Sequence, residues 1–136
     1  MEPNNLRVLC VDDHETVRML FLKSLTDLGV ENIVEAENGK TALEKIQAAH
    51  RDQQPFDIVF CDWNMPIMNG LELLQTLRND PNFISIPFVM VTVNSDESEV
   101  VDAMRAGVSE YIVKPFDTKS IDRTIRRLLF SQKRTN

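Results

Sequence analysis

Short apolar, β-prone runs alternate with longer amphipathic stripes along the chain, and this alternation limits the possible folds more than any other feature. Leu6-Arg-Val-Leu-Cys-Val11 is the first run. A helical stripe at Val17, Leu20, Phe21, Ser24, Leu25 and Leu28 follows, and Gly29 stands where a helix stops. Asn32 to Ala36 reads as a second strand, and Gly39 opens a helix with Ala42, Leu43, Ile46 and Ala49 on one face. Past Pro55 comes the strand Asp57-Ile-Val-Phe-Cys61. Pro66 breaks the chain before a helix bearing Leu71, Leu74 and Leu77, which stops near Pro81. Pro87 starts the strand Phe88-Val-Met-Val-Thr92. Ser95 or Asp96 is placed to cap a helix bearing Val100 and Met104, closed by Gly107. Glu110 to Lys114 is the last strand, and the last helix carries Ile121, Ile125, Leu128 and Leu129 on one face.

Five β–α units result, with no composition break between them. The strands are near-continuous apolar runs, as expected when helices cover both faces of a sheet. The reading is an α/β fold, a doubly wound parallel sheet with right-handed crossovers. With 136 residues and 43% apolar content, one domain over 1–136 is expected, its core spanning about 6–130. Residues 131–136 read as a frayed tail, or as the start of a linker if the chain is cut from a longer protein.

No apolar run approaches the ~18 residues that would span a membrane. Met1-Glu-Pro-Asn-Asn5 lacks the basic start of a secretory signal, so a cytoplasmic protein is expected. A formal charge of −6 argues against general nucleic-acid binding. The charge is uneven, however: residues 118–136 carry Lys119, Arg123, Arg126, Arg127, Lys133 and Arg134 against Asp122 alone. Those cations suit the C-terminal dipole of a last helix, and they also suit a docking surface. Cys10 and Cys61 sit inside apolar runs without zinc-site spacing, and are expected to be buried free thiols.

In such a sheet, ligands bind beyond the carboxyl ends of the strands, where strand order reverses. The residues at those ends are Asp12 and Asp13, then Asp62, Thr92 and Lys114. Three carboxylates converging on one edge repel each other unless a cation joins them. Mg²⁺ takes carboxylate oxygens together with water and phosphate oxygens. A lysine can meet one phosphoryl oxygen and a threonine hydroxyl another, and a carboxylate can itself be the nucleophile. Each residue alone has a plainer reading: Asp12-Asp13 as a helix N-cap pair, Lys114 as a solvated turn, Thr92 as a strand residue. Their shared position at successive strand ends favours phosphoryl transfer.

These residues resemble the receiver domains of two-component response regulators over residues 6–130, chemotaxis members in particular. The matching pieces are Val11-Asp12-Asp13, Asp62-Trp-Asn-Met-Pro66 with Asn69-Gly70, Val91-Thr92 and Tyr111-Ile-Val-Lys114-Pro115-Phe116. The resemblance implies a flavodoxin-like strand order 2-1-3-4-5. It implies Asp62 as phosphoacceptor from a histidine kinase, with Mg²⁺ held by Asp13, Asp62 and the Asn64 carbonyl, and by Asp12 through water. Thr92 and Lys114 contact the phosphoryl group, and the Lys114–Pro115 bond is expected to be cis. Thr92 and Tyr111 are the switch. The face of the fourth helix, fifth strand and fifth helix then changes partner preference, for a flagellar motor switch component or a histidine phosphotransfer protein.

Some positions depart from the family's habit. Val93 is bulkier than usual and is expected to crowd the phosphate. Asn64 and Asn94 stand at positions that tune phosphate lifetime, and neither can act as a general base. Asn69 replaces a commoner Asp with little expected consequence. His14 beside the acidic pair is either incidental or a modulator of metal affinity.

A phosphorelay intermediate, or a receiver excised from a larger regulator, is the alternative within signalling. An aspartate-nucleophile phosphatase of the haloacid dehalogenase type needs Asp-x-Asp after the first strand, whereas the acceptor here follows the third and position 64 is Asn. A flavin or dinucleotide carrier needs a phosphate-cradling G-x-G-x-x-G, absent from a chain with four glycines.

Overall fold

The computed structural model describes residues 3–130. Its elements are β1 (Arg7–Val11), α1 (Glu15–Asp27), β2 (Asn32–Ala36), α2 (Gly39–Arg51), β3 (Ile58–Cys61), α3 (Gly70–Arg78), β4 (Phe88–Thr92), α4 (Glu97–Arg105), β5 (Glu110–Val113) and α5 (Thr118–Ile125). A short 3₁₀ turn, Pro3–Asn5, precedes β1, and a π-helical turn, Arg126–Phe130, extends α5. The strands form one parallel sheet in the order β2-β1-β3-β4-β5, as the resemblance implied.

Strand side chains alternate between two apolar layers. Leu9, Val11, Val59, Cys61, Phe88 and Met90 face the layer built with α2, α3 and Ala103 of α4. Val8, Cys10, Ile58, Phe60, Val89 and Val91 face the layer built with Phe21 and Leu25 of α1 and Ile121 and Ile125 of α5. β3 and β4 are buried at every position, which explains why their sequence shows no polar alternation. Cys10 and Cys61 are buried and free, one in each layer.

Helix ends follow local chemistry. Gly29 and Gly107, read as helix stops, take positive φ of 93° and 96°. Asn38 caps α2 by accepting from the Thr41 N–H, and Asp117 caps α5 through Ser120. Asp96 is the N-cap of α4 but makes no side-chain bond there.

Two apolar assignments change. On α4 the residue packed against the sheet is Ala103, fully buried, while Met104 is 66% exposed. Small Ala lets the helix approach closely, and the long Met falls a third of a turn away. On α1, Leu20 belongs to the apolar stripe by spacing yet is 56% exposed, because the sheet takes Phe21, Ser24 and Leu25. Lys133, Arg134 and the tail expected at 131–136 lie outside the described residues.

Candidate functional site

The site residues sit where the sheet's ladder runs one step past its strands. The Asp12 N–H donates to Ala36 O, that of Asp62 to Val11 O and that of Lys114 to Thr92 O, at 3.1, 2.9 and 2.8 Å. Parallel pairing puts Val11 beside Cys61, so Asp12 and Asp62 emerge together at the β1/β3 junction. There the order of strands reverses, opening a crevice at the carboxyl edge.

Lys114 reaches across from β5. Its Nζ lies 2.7 Å from Asp12 Oδ2 and 3.3 Å from Asp62 Oδ2, and the three side chains are only 13%, 8% and 7% exposed. Such burial makes the ammonium the counter-charge without which two desolvated carboxylates would be costly. The other oxygen of Asp62, Oδ1, accepts from the Trp63 N–H at 2.7 Å. Asp13 is more open, with 30% of its side chain exposed. The plainer readings therefore fail for Asp12 and Lys114: the N-cap of α1 is His14, without a side-chain bond, and Lys114 is not solvated.

Thr92 ends β4 fully buried, its Oγ1 accepting from the Asn94 N–H at 3.3 Å. Asn94 is a junction. Its Oδ1 accepts from Asn64 Nδ2 at 3.0 Å, its Nδ2 donates to Glu99 Oε2 at 3.1 Å, and its carbonyl accepts from the Tyr111 hydroxyl at 2.7 Å. Partial burial pushes the Tyr111 phenol above its ordinary value, and the charges of Glu99 and Asp62 push the same way. Val93 is 64% exposed and shares with Lys114 and Phe116 the wall of a groove of about 610 Å³ running along α1. The Lys114–Pro115 bond is cis.

The structure thus brings Asp12, Asp13, Asp62 and Lys114 together at one rim, with Thr92 at the end of β4, Asn94 in the loop after it and Asn64 in the β3–α3 loop. One ligand atom from each of Asp12, Asp13, His14 and Asp62 falls within 4.8 Å of the others, a donor set fit for a divalent cation. Sequence reasoning missed three supports. Arg18 donates to the Asp12 carbonyl at 2.6 Å and to Glu35 at 3.0 Å, fixing the turn after β1. Glu99 ties α4 to the site loop. Asn69 and Glu72 form a reciprocal capping box for α3, and their N-x-x-E spacing was the available signal. The Arg18 pairing joins separate elements and left no local trace, and the Asn94–Glu99 pair, five residues apart, follows no standard capping spacing.

An electrostatically paired carboxylate at a crevice mouth, with a lysine and a buried hydroxyl beside it, is equipped to receive a phosphoryl group. Comparison with known proteins agrees. Residues 8–126 match the family model described as the response regulator receiver domain. The chain is 43% identical over 111 residues to chemotaxis protein CheY1 of Helicobacter pylori, covering 82% of this chain and 86% of that protein. It is 36% identical to chemotaxis protein CheY-3 of Vibrio cholerae, covering 91% and 92%. Among solved structures, CheY4 of Vibrio cholerae superposes with a TM-score of 0.81 at 30% identity, covering 91% and 98%. A chain of the CheX–CheY–BeF3–Mg²⁺ complex from Borrelia burgdorferi gives 0.81 at 25%, covering 90% and 87%. Motif, topology and rim geometry converge with these similarities, and the chain belongs to the response regulator receiver domain family.

Proposed function

We propose that this receiver accepts a phosphoryl group on Asp62 from a histidine kinase and thereby switches its binding to a partner protein in chemotaxis signalling. The observation that carries the reading is the Lys114 ammonium bridging Asp12 and Asp62 at the rim. Asp13, Asp62 and the Asn64 carbonyl would hold Mg²⁺ directly and Asp12 through water. When bound, the ion neutralises charge on the phosphoryl oxygens during transfer. An Asp62 oxygen attacks phosphorus as the phosphorus–nitrogen bond of the donor phosphohistidine breaks, and the electron pair returns to the imidazole. Lys114 then meets one phosphoryl oxygen and Thr92 donates its hydroxyl to another. Catalysis by the chain extends no further than this self-phosphorylation and hydrolysis of the acyl phosphate, in which water attacks phosphorus and the Asp62 carboxylate leaves.

Turning Thr92 toward the phosphoryl group gives up its bond from Asn94, whose carbonyl holds the Tyr111 hydroxyl. The new bond thereby biases the loop that leads into α4, a shift between two populations. The α4–β5–α5 face carries Met104, Val101 and Val113 exposed, beside the cations of α5. It would receive the partner, a flagellar motor switch component if the chemotaxis reading holds, in the cytoplasm. A histidine phosphotransfer protein drawing phosphate onward from Asp62 is the relay alternative. Residues 1–136 act here as one domain.

Asp62→Asn tests the acceptor. Acid-labile labelling by acetyl phosphate is expected to vanish, while retained labelling moves the acceptor elsewhere. A pull-down of beryllofluoride-treated against untreated protein, offered motor-switch and histidine-transfer candidates, decides between the two outputs.

A further inference from the structure

The carboxylates at the rim share their position with a donor of another kind. His14 follows the acidic pair, and its Nδ1 lies 3.3 Å from Asp12 Oδ1 and 3.2 Å from Asp13 Oδ1. The backbone N–H of His14 donates to the same Asp12 oxygen at 2.9 Å, so one turn aims both side chains. In an octahedral site with bonds of about 2.1 Å, adjacent donors sit about 3.0 Å apart and opposite donors about 4.2 Å apart. His14 Nδ1 stands close to adjacent-donor spacing from two carboxylates, and the whole set of four lies within 4.8 Å. The ring's contacts are with these two carboxylates, it gives α1 no cap bond, and it is 67% exposed.

Magnesium takes oxygen donors, whereas imidazole suits zinc, copper, iron, nickel and their neighbours. We infer that His14 is a specificity-determining ligand, which turns an oxygen site into a mixed nitrogen–oxygen site favouring a borderline divalent transition ion over magnesium. The inference rests on the acidic rim being the metal site proposed above. The tautomer required carries its proton on Nε2 and turns the Nδ1 lone pair to the carboxylates' meeting point. With the proton on Nδ1 instead, the ring is only a hydrogen-bond donor to Asp12 and Asp13, and its removal affects every cation alike.

The two roles separate in a titration of the full chain with MgCl₂ and CoCl₂, read by emission of Trp63, which is buried and donates its backbone N–H to Asp62. Carboxylates alone already favour Co²⁺, so the quantity read is the change in the ratio of the two dissociation constants. His14→Ala is expected to reduce the preference for Co²⁺ by about tenfold, the lower end of what loss of a metal-site partner costs. The visible absorption of bound Co²⁺ is expected to change in His14→Ala and not in His50→Ala, a ring that meets Phe83 edge-to-face. An unchanged ratio or an unchanged Co²⁺ spectrum in His14→Ala overturns the inference. Asp13→Asn distinguishes the deeper failure: if it leaves the Mg²⁺ titration unaltered, the rim is not the metal site at all.

Discussion

At the residue scale, single side chains here carry their meaning through what faces them. Lys114 is one turn residue before a proline until the fold sets it 2.7 Å from Asp12, with Asp62 alongside. Tyr111 belongs to a chain of hydrogen bonds: its hydroxyl donates to the Asn94 carbonyl, and the Asn94 side chain bonds Asn64 and Glu99. Tyr111→Ala removes one hydrogen bond of roughly 1 kcal/mol from the β4–α4 loop. Labelling of Asp62 by acetyl phosphate is expected to persist, while affinity for the output partner changes several-fold in an equilibrium binding assay. Loss of labelling would place Tyr111 in the transfer chemistry instead of the readout.

At the element scale, the β3–α3 loop shows how a short segment is held around a functional residue. Gly70 opens α3 so close to the strand end that a Cβ there would fall 2.2 Å from the Asp62 carbonyl oxygen. The capping box of Asn69 and Glu72 starts the helix at that point. Asn69→Ala is expected to cost about 1 kcal/mol in urea unfolding, the usual value of an N-cap. Asn69 was expected to matter little as a stand-in for a commoner Asp; as the cap it carries the same oxygen. Nearby, Ile67 adopts φ of 72°, a conformation unfavourable to a β-branched side chain, as Met68 N–H reaches back to Pro66 O at 2.7 Å. The side chain is 75% exposed and buries little. Ile67→Gly is expected to raise stability by about 1 kcal/mol in the same assay, by relief of left-handed strain. A lower midpoint would mean that the Ile67 side chain contributes packing.

For the whole molecule, the two apolar layers each hide a thiol. Burial pushes Cys10 and Cys61 far above their ordinary value, and neighbouring carboxylates add to this, Glu35 for Cys10 and Asp62 then Asp12 for Cys61. Both groups have a raised folded-state value, so their contribution is fully present below about 9 and is lost as pH rises, where the unfolded chain's thiols ionise and the folded ones do not. Unfolding free energy is expected to decline above that pH by up to about 1.4 kcal/mol per unit for each thiol. Replacing both cysteines by alanine should flatten that part of the profile. Thiol reagents are expected to label native protein only at the rate of opening.

Much of this architecture was legible in the order of residues. Alternating runs and stripes specified a parallel α/β sheet, because a strand buried on both faces must be apolar throughout and a covering helix must be apolar on one side. Strand ends located Asp12, Asp13, Asp62, Thr92 and Lys114, because the sheet's direction is shared by all its strands. What the tertiary structure alone decided were pairings across distance. Arg18 with Glu35, Tyr111 with Asn94, Lys114 between two carboxylates and Ala103 in place of Met104 against the sheet all depend on how elements approach each other. A period along one element specifies its own face, but the partner of that face, and the distance to it, come only from packing.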